Sequence, residues 1–235
     1  MGRKNNMCGA AGRVAALFAF AFALNGANAG ISAVIIDTGH TPQRPGSIGP
    51  GGTPEYEFNL RLSSYIAKDL QKRGTRVIRV SADGRDIALN RRTAATQYNS
   101  LFVSIHHDSI QQAWIDQGRR REFKGYSTFI SERNPYRESS LFCAQRIGLR
   151  MQEVGEKPSL YHATPIKGEN RPLIDHRLGV HRFDDLVVLH TARSPAVLVE
   201  AGVIANPDEE SRLGSEDLAR QLGAAIASAI VECIK

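Results

Sequence analysis

Four side chains in the sequence have types suited to metal-assisted hydrolysis: His40, Glu55, His106 and Glu200. Two neutral imidazoles and one carboxylate leave the fourth position of a tetrahedral ion open, which is the donor set of a hydrolytic zinc site. A further carboxylate then has a task. Zinc lowers the pKa of its bound water to about 7, and a nearby glutamate can take the proton as the water attacks an amide carbon, then deliver it to the leaving nitrogen. Singly, each residue also has a plainer role: Glu55 suits the positive end of a helix, His40 a loop, His106 a hydrogen-bonded strand end, and Glu200 an ion pair with one of many arginines. The gaps of 15 and 51 residues between His40, Glu55 and His106 match no short zinc motif, so only convergence in three dimensions gives the set meaning.

The elements that must bring these residues together are legible as an alternation of short apolar runs and longer amphipathic ones from Ala33 to Lys235. That pattern predicts an α/β fold: a single domain built on a twisted, mostly parallel sheet of about six strands, flanked by helices on both faces. The expected strands are Ala33–Asp37, Arg76–Val80, Leu101–Ile105, Ser127–Ile130, Leu186–Leu189 and Ala196–Val199. Most are apolar on both faces, as central parallel strands are. Helical spacing joins Phe58, Leu62, Ile66 and Leu70 in one stripe and Leu141, Ala144, Ile147 and Met151 in another. Thr53-Pro54 and Asn134-Pro135 each read as an N-cap followed by proline, Gly74 as a stop, and Ser215 as the start of the last helix.

In an open parallel sheet, ligands bind outside the carboxyl ends of the strands. His40 follows the first expected strand, His106 follows Leu101–Ile105, and Glu200 ends Ala196–Val199. Glu55 opens a helix after the stretch Thr41–Pro54, which holds four prolines and four glycines and reads as a shaped loop. Pattern alone leaves Glu55 against Glu57, and His106 against His107, open. Asp37 and Asp108 are placed to orient the histidines from behind or to cap a turn. Residues Gly155–Asp185 carry no clear periodicity and read as a lid, an inhibitory segment or a substrate-contact loop.

Met1–Ala29 differs from the rest. It contains Arg3, Lys4 and Arg13 but no acidic residue, then an apolar run from Val14 to Leu24 and the small-residue end Ala27-Asn28-Ala29. These are the parts of a secretory signal peptide, and the run is too short for a transmembrane anchor. The expected division is therefore 1–29 signal peptide and 30–235 catalytic domain, in the periplasm or secreted and associated with the cell envelope. The remaining residues carry 27 basic against 24 acidic side chains, an excess that fits an anionic polymer and gives no basis for nucleic acid binding. Cys143 and Cys233 could pair in an oxidising compartment or remain buried thiols.

Five blocks carry a family resemblance: Val34-Ile35-Ile36-Asp37-Thr38-Gly39-His40, Pro45-Gly46-Ser47-Ile48-Gly49, Glu55 with Asn59-Leu60, Phe102-Val103-Ser104-Ile105-His106, and Pro195–Gly202 followed by Asn206-Pro207. In this order and register the chain resembles the zinc-dependent N-acetylmuramoyl-L-alanine amidases. The resemblance implies a phosphorylase/hydrolase-like, zinc-exopeptidase-like sheet and cleavage of the amide between muramic acid and the L-alanine of the peptidoglycan stem peptide. It assigns one zinc ion (Zn2+) to His40, Glu55 and His106, preferring Glu55 over Glu57 and His106 over His107, and makes Glu200 the catalytic carboxylate. Peptidoglycan would be the substrate, with a protein activator in the envelope as a possible partner. Thr38, Thr41-Pro42, Ala201 and Val203 depart from the commoner family residues, and none removes a ligand.

Two other readings compete. A zinc carboxypeptidase acting on stem peptides would need a basic residue for a terminal carboxylate, and Arg92, Arg171 and Arg182 are available. A wall-binding module without catalysis would not need all four chemically necessary side chains.

Overall fold

A computed structural model describes residues 30–235 together with Met1 and Gly2, so the signal-peptide expectation falls outside the described residues apart from those two. The chain runs β1 (Ala33–Thr38), α1 (Glu55–Lys72), β2 (Val77–Val80), α2 (Leu89–Arg92), β3 (Ser100–Asp108), α3 (Gln112–Asp116), β4 (Ser127–Ile130), α4 (Arg137–Glu153), β5 (Leu173–Asp175), β6 (Val180–Arg182), α5 (Val187–His190), β7 (Ala196–Val203), α6 (Pro207–Leu213) and α7 (Glu216–Cys233). Seven strands form one sheet in the order β2-β1-β3-β7-β4-β6-β5. The four strands from β2 to β7 are parallel; β4 runs antiparallel to β7, and β5 antiparallel to β6.

Side-chain alternation gives the sheet two unlike faces. Val34, Ile36, Leu101, Val103, Ile105, Val197 and Val199 point to one side and pack with Leu62, Ile66 and Leu70 of α1, Ile147 and Met151 of α4, and Leu222, Ile226 and Ile230 of α7. Each such Leu or Ile contributes about 1.5–3 kcal/mol by leaving water, which makes this layer the main source of stability. Cys143 of α4 and Cys233 of α7 are joined there as a disulfide, with Cα atoms 5.4 Å apart. The other face carries Ile35, Phe102, Phe129, Ala196 and Leu198, covered by Val188 and Leu189 of the four-residue helix α5 and by loops. Helices do flank both sides, but the three long ones share one side.

Three expectations need correction. Leu186–Leu189 is not a strand: Leu186 precedes a single helical turn whose Val188 and Leu189 are buried. A short apolar run does not distinguish strand from buried helix, and here the turn is what caps the second face. The sheet instead gains β5 and β6 from within Gly155–Asp185, each only three residues long and too short to register as a period. The two proline starts also differ. Pro54 is itself the N-cap of α1, while α4 starts after Tyr136 and the Asn134 amide donates to the Leu189 and Ser194 carbonyls, tying β4 to β7's approach. Ser215 caps α7 as expected.

Candidate metal centre

The site is assembled where β1, β3 and β7 end. His106 and Glu200 are register partners on β3 and β7. They point to the lightly covered face, because they follow Phe102 and Ser104 on β3, and Ala196 and Leu198 on β7, in period two. Immediately beyond them the register shifts, with Asp108 opposite Val203, a bulge of the kind that ends pairing and re-aims side chains beside active sites. His40 follows β1 at a φ of +67°, a left-handed turn that brings the imidazole back over the strand ends. Glu55, the first residue of α1, is delivered by the Pro/Gly loop: its backbone N–H donates to the Ser47 carbonyl at 2.8 Å, and that of Tyr56 donates to the Pro45 carbonyl at 3.0 Å.

Glu55 lies between the two rings. Its Oε2 is 3.0 Å from His40 Nε2 and its Oε1 is 3.0 Å from His106 Nδ1. Donor atoms of the three residues all lie within 4.8 Å of one another. Ligands held about 2.0–2.1 Å from a tetrahedral zinc stand roughly 3.3 Å apart, so the set fits one ion with small adjustments. Two glycines make the approach possible. A Cβ on Gly39 would lie 2.5 Å from the His106 ring, and one on Gly46 would lie 2.4 Å from Glu55 Oε2.

Electrostatics match a cation. Burial pushes the Glu55 carboxyl up, but hydrogen bonds and charge from His106 and His40 outweigh it and hold the group well below the usual carboxylate range. Asn59, one helical turn along α1, donates to Glu55 Oε1 at 3.1 Å and to the Gly39 carbonyl. The Ser47 N–H supports the other carboxylate oxygen, Oε2, at 3.2 Å. Glu200 differs: burial first, then the charges of Asp108 and Glu55, push its carboxyl well above the ordinary range. Its Oε2 is buried with no hydrogen-bond partner among the described residues. An orphaned carboxylate oxygen is costly unless something absent from the chain meets it.

Glu57 is exposed on α1. His107 points to the helical face, where its Nδ1 meets Asn59 Oδ1 at 2.8 Å and burial lowers its pKa to about 3. Neither joins the cluster. Asp37 and Asp108 lie close by but hold other partners. Asp37 accepts from Arg92 Nη1 and from Ser104 Oγ, both at 2.7 Å. Asp108 meets His162 Nε2 at 2.6 Å and the Tyr161 hydroxyl. The brace on His40 is Arg92, whose Nη2 donates to the His40 carbonyl at 2.9 Å and whose Nη1 also reaches the Thr38 carbonyl. Sequence reading assigned Arg92 no such role, and an arginine in a four-residue helix carries no signal for it. Asn59 did have one, since residues four apart on a helix are neighbours. Glu210 of α6 was also missed; it accepts from the Gly51 N–H at 2.7 Å and fastens the Pro/Gly loop.

Two cavities flank His106. One, of about 120 Å³, is walled by Ile87, Leu89, Val187 and Arg44; the other, of about 280 Å³, by Glu200, Asp108, His162 and Arg171.

The sequence profile of N-acetylmuramoyl-L-alanine amidases matches residues 34–232, a stretch that includes His40, Glu55, His106 and Glu200. The chain belongs to this family. It is 24% identical over 221 residues to the N-acetylmuramoyl-L-alanine amidase AmiC of Neisseria meningitidis serogroup B, covering 84% of this chain and 51% of that protein, about half its length. In fold it resembles the amidase Ami1 of Mycobacterium smegmatis, with a TM-score of 0.69 at 19% identity over 88% of this chain and 99% of the other. It also resembles the CwlD amidase of Clostridioides difficile, solved in complex with the GerS lipoprotein, with a TM-score of 0.65 at 20% identity over 86% and 98% of the two chains.

Proposed function

We propose that this amidase hydrolyses the bond between N-acetylmuramic acid and the L-alanine of the peptidoglycan stem peptide, with one zinc ion held by His40, Glu55 and His106 and with Glu200 as the catalytic carboxylate. The observation that carries this reading is the clustering of three donor side chains at the carboxyl-end side of β1, β3 and β7, beside Glu200, whose Oε2 is buried and has no hydrogen-bond partner among the described residues. A bound zinc ion supplies Lewis acidity to the scissile carbonyl and to a water molecule. Glu200 takes the proton from the attacking water and passes it to the alanine nitrogen, which leaves as an amine. Asn59 and the Ser47 N–H hold Glu55 in a single orientation, and Arg92 fixes the backbone that presents His40.

Residues 1–29 act in this reading as an export signal and residues 30–235 as the catalytic unit, working in the periplasm or outside the cell. No helix of the described residues is long and apolar enough to cross a membrane. Control by an envelope partner is supported by the complex of CwlD with a lipoprotein. The test is metal analysis of the purified protein together with mass spectrometry of digested peptidoglycan. Stem peptides with a free N-terminal L-alanine are the expected product. A released C-terminal amino acid, or full activity in a strong chelator, would overturn the assignment.

A further inference from the structure

Of the three arginines that sequence reading offered to a substrate carboxylate, two are committed. Arg92 is buried against Asp37, and Arg182 pairs with Glu132 and Asp184. Arg171 forms no ion pair among the described residues, yet it lies on the wall of the larger cavity with His106 and Glu200. Its guanidinium sits 3.7 Å over the Phe183 ring. Nη1 donates to the Glu169 carbonyl at 2.7 Å and Nη2 to the Gly168 carbonyl at 3.3 Å. A guanidinium has five N–H donors, so three remain for a ligand on a group whose plane is already fixed. Of the acids on the same wall, Glu200 belongs to the candidate metal centre, while Asp108 and Glu169 share His162 at 2.6 and 2.9 Å, and Glu169 also accepts from Gln111. Across His106, the arginines on the wall of the smaller cavity are Arg44, paired with Asp86, and Arg92, paired with Asp37.

We propose that Arg171 binds a free carboxylate of the stem peptide, which places the peptide half of the substrate in the larger cavity and the glycan half on the side of Ile87 and Leu89. The inference rests on the amidase reading and extends it to substrate direction and selectivity. The ligand class is an L-alanyl peptide whose second residue, a γ-linked D-glutamate, keeps its α-carboxylate free. A planar fork over an aromatic ring suits a carboxylate better than its uncharged amide.

The experiment compares soluble peptidoglycan fragments whose second stem residue carries either the free α-carboxylate or its amide, with kcat/KM read from the released L-alanyl peptide. The wild-type protein should prefer the carboxylate by about 10–100-fold, the range for a site built to hold a charged partner. Arg171→Gln should bring the ratio close to one by slowing the carboxylate substrate alone, with zinc content unchanged. Arg171→Lys should restore part of the ratio. Equal slowing of both substrates by Arg171→Gln would leave Arg171 as a loop anchor and overturn the proposal, as would an unchanged ratio or a wild-type protein that does not discriminate. Failure of the wild-type protein to cut the muramoyl–alanine amide in either fragment would instead remove the amidase reading itself.

Discussion

His106 and Glu200 stand opposite each other across the parallel β3–β7 pairing, on the sheet face that carries no long helix. Neighbouring strands are about 4.8 Å apart, so an imidazole and a carboxylate in register arrive side by side without any loop having to close. This adjacency separates two roles by mutation. Glu200→Gln keeps the shape and removes the base, so zinc should stay bound while turnover falls by about 10²–10⁴-fold. His106→Ala should lower zinc occupancy itself. Metal content and turnover measured on both variants check the pair, and loss of zinc from Glu200→Gln would reassign it as a ligand.

Gly46 has a φ of +77°, and a Cβ there would meet both Glu55 and His40. Gly46→Ala should therefore weaken metal binding although no ligand is changed. Titration with zinc under competition from a chelator would register this as a raised dissociation constant; binding equal to that of the wild-type protein would mean the loop yields more readily than its geometry implies.

Arg92 and Asp37 form an ion pair in which both side chains are at least 95% buried. Removing one partner of such a pair leaves a charge without compensation and costs about 3–5 kcal/mol. Arg92→Ala should thus lower Tm by on the order of 10 °C for a domain of this size, and the loosened His40 turn should bind zinc less well. Arg92→Lys should not restore stability, because one ammonium cannot span the Asp37 carboxylate and the Thr38 and His40 carbonyls together. Thermal melts of the two variants decide this.

His162 gives a pH signature. Burial opposes its charge, but Asp108 and Glu169 more than offset this and raise its pKa to about 9. An unfolded histidine titrates near 6.5, so the imidazolium binds its proton more tightly when folded. The resulting stabilisation, at most about 3 kcal/mol, is complete below pH ~6.5 and is lost as pH rises through about 9. Denaturant unfolding at pH 6, 8 and 10 should show that decline in the wild-type protein and a flatter profile in His162→Gln. Parallel curves would place the charge elsewhere.

How much of this the sequence carried depends on the kind of signal. β4 was read to the residue, and the β1, β3 and β7 cores emerged because strands buried on both faces make continuous apolar runs. His40, His106 and Glu200 are read from where those runs end, and Glu55 from the helix start after the Pro/Gly loop. Pattern leaves His106 against His107 open and only the family resemblance prefers His106; in the structure His106 faces the cavities and His107 meets Asn59. Arg92, Glu210 and the His162 cluster lay beyond reach, because their partners are up to 159 residues away and nothing local marks them. Leu186–Leu189 failed for lack of length, and β5 and β6 for the same reason.

The unequal dressing of the sheet divides labour within the molecule. Endurance resides in the three-helix layer and its covalent staple, whereas the face that carries His106 and Glu200 is dressed by loops and the single turn of α5. Those small pieces can therefore change, much as tools are changed on a fixed handle, while the foundation that keeps the protein folded is left untouched.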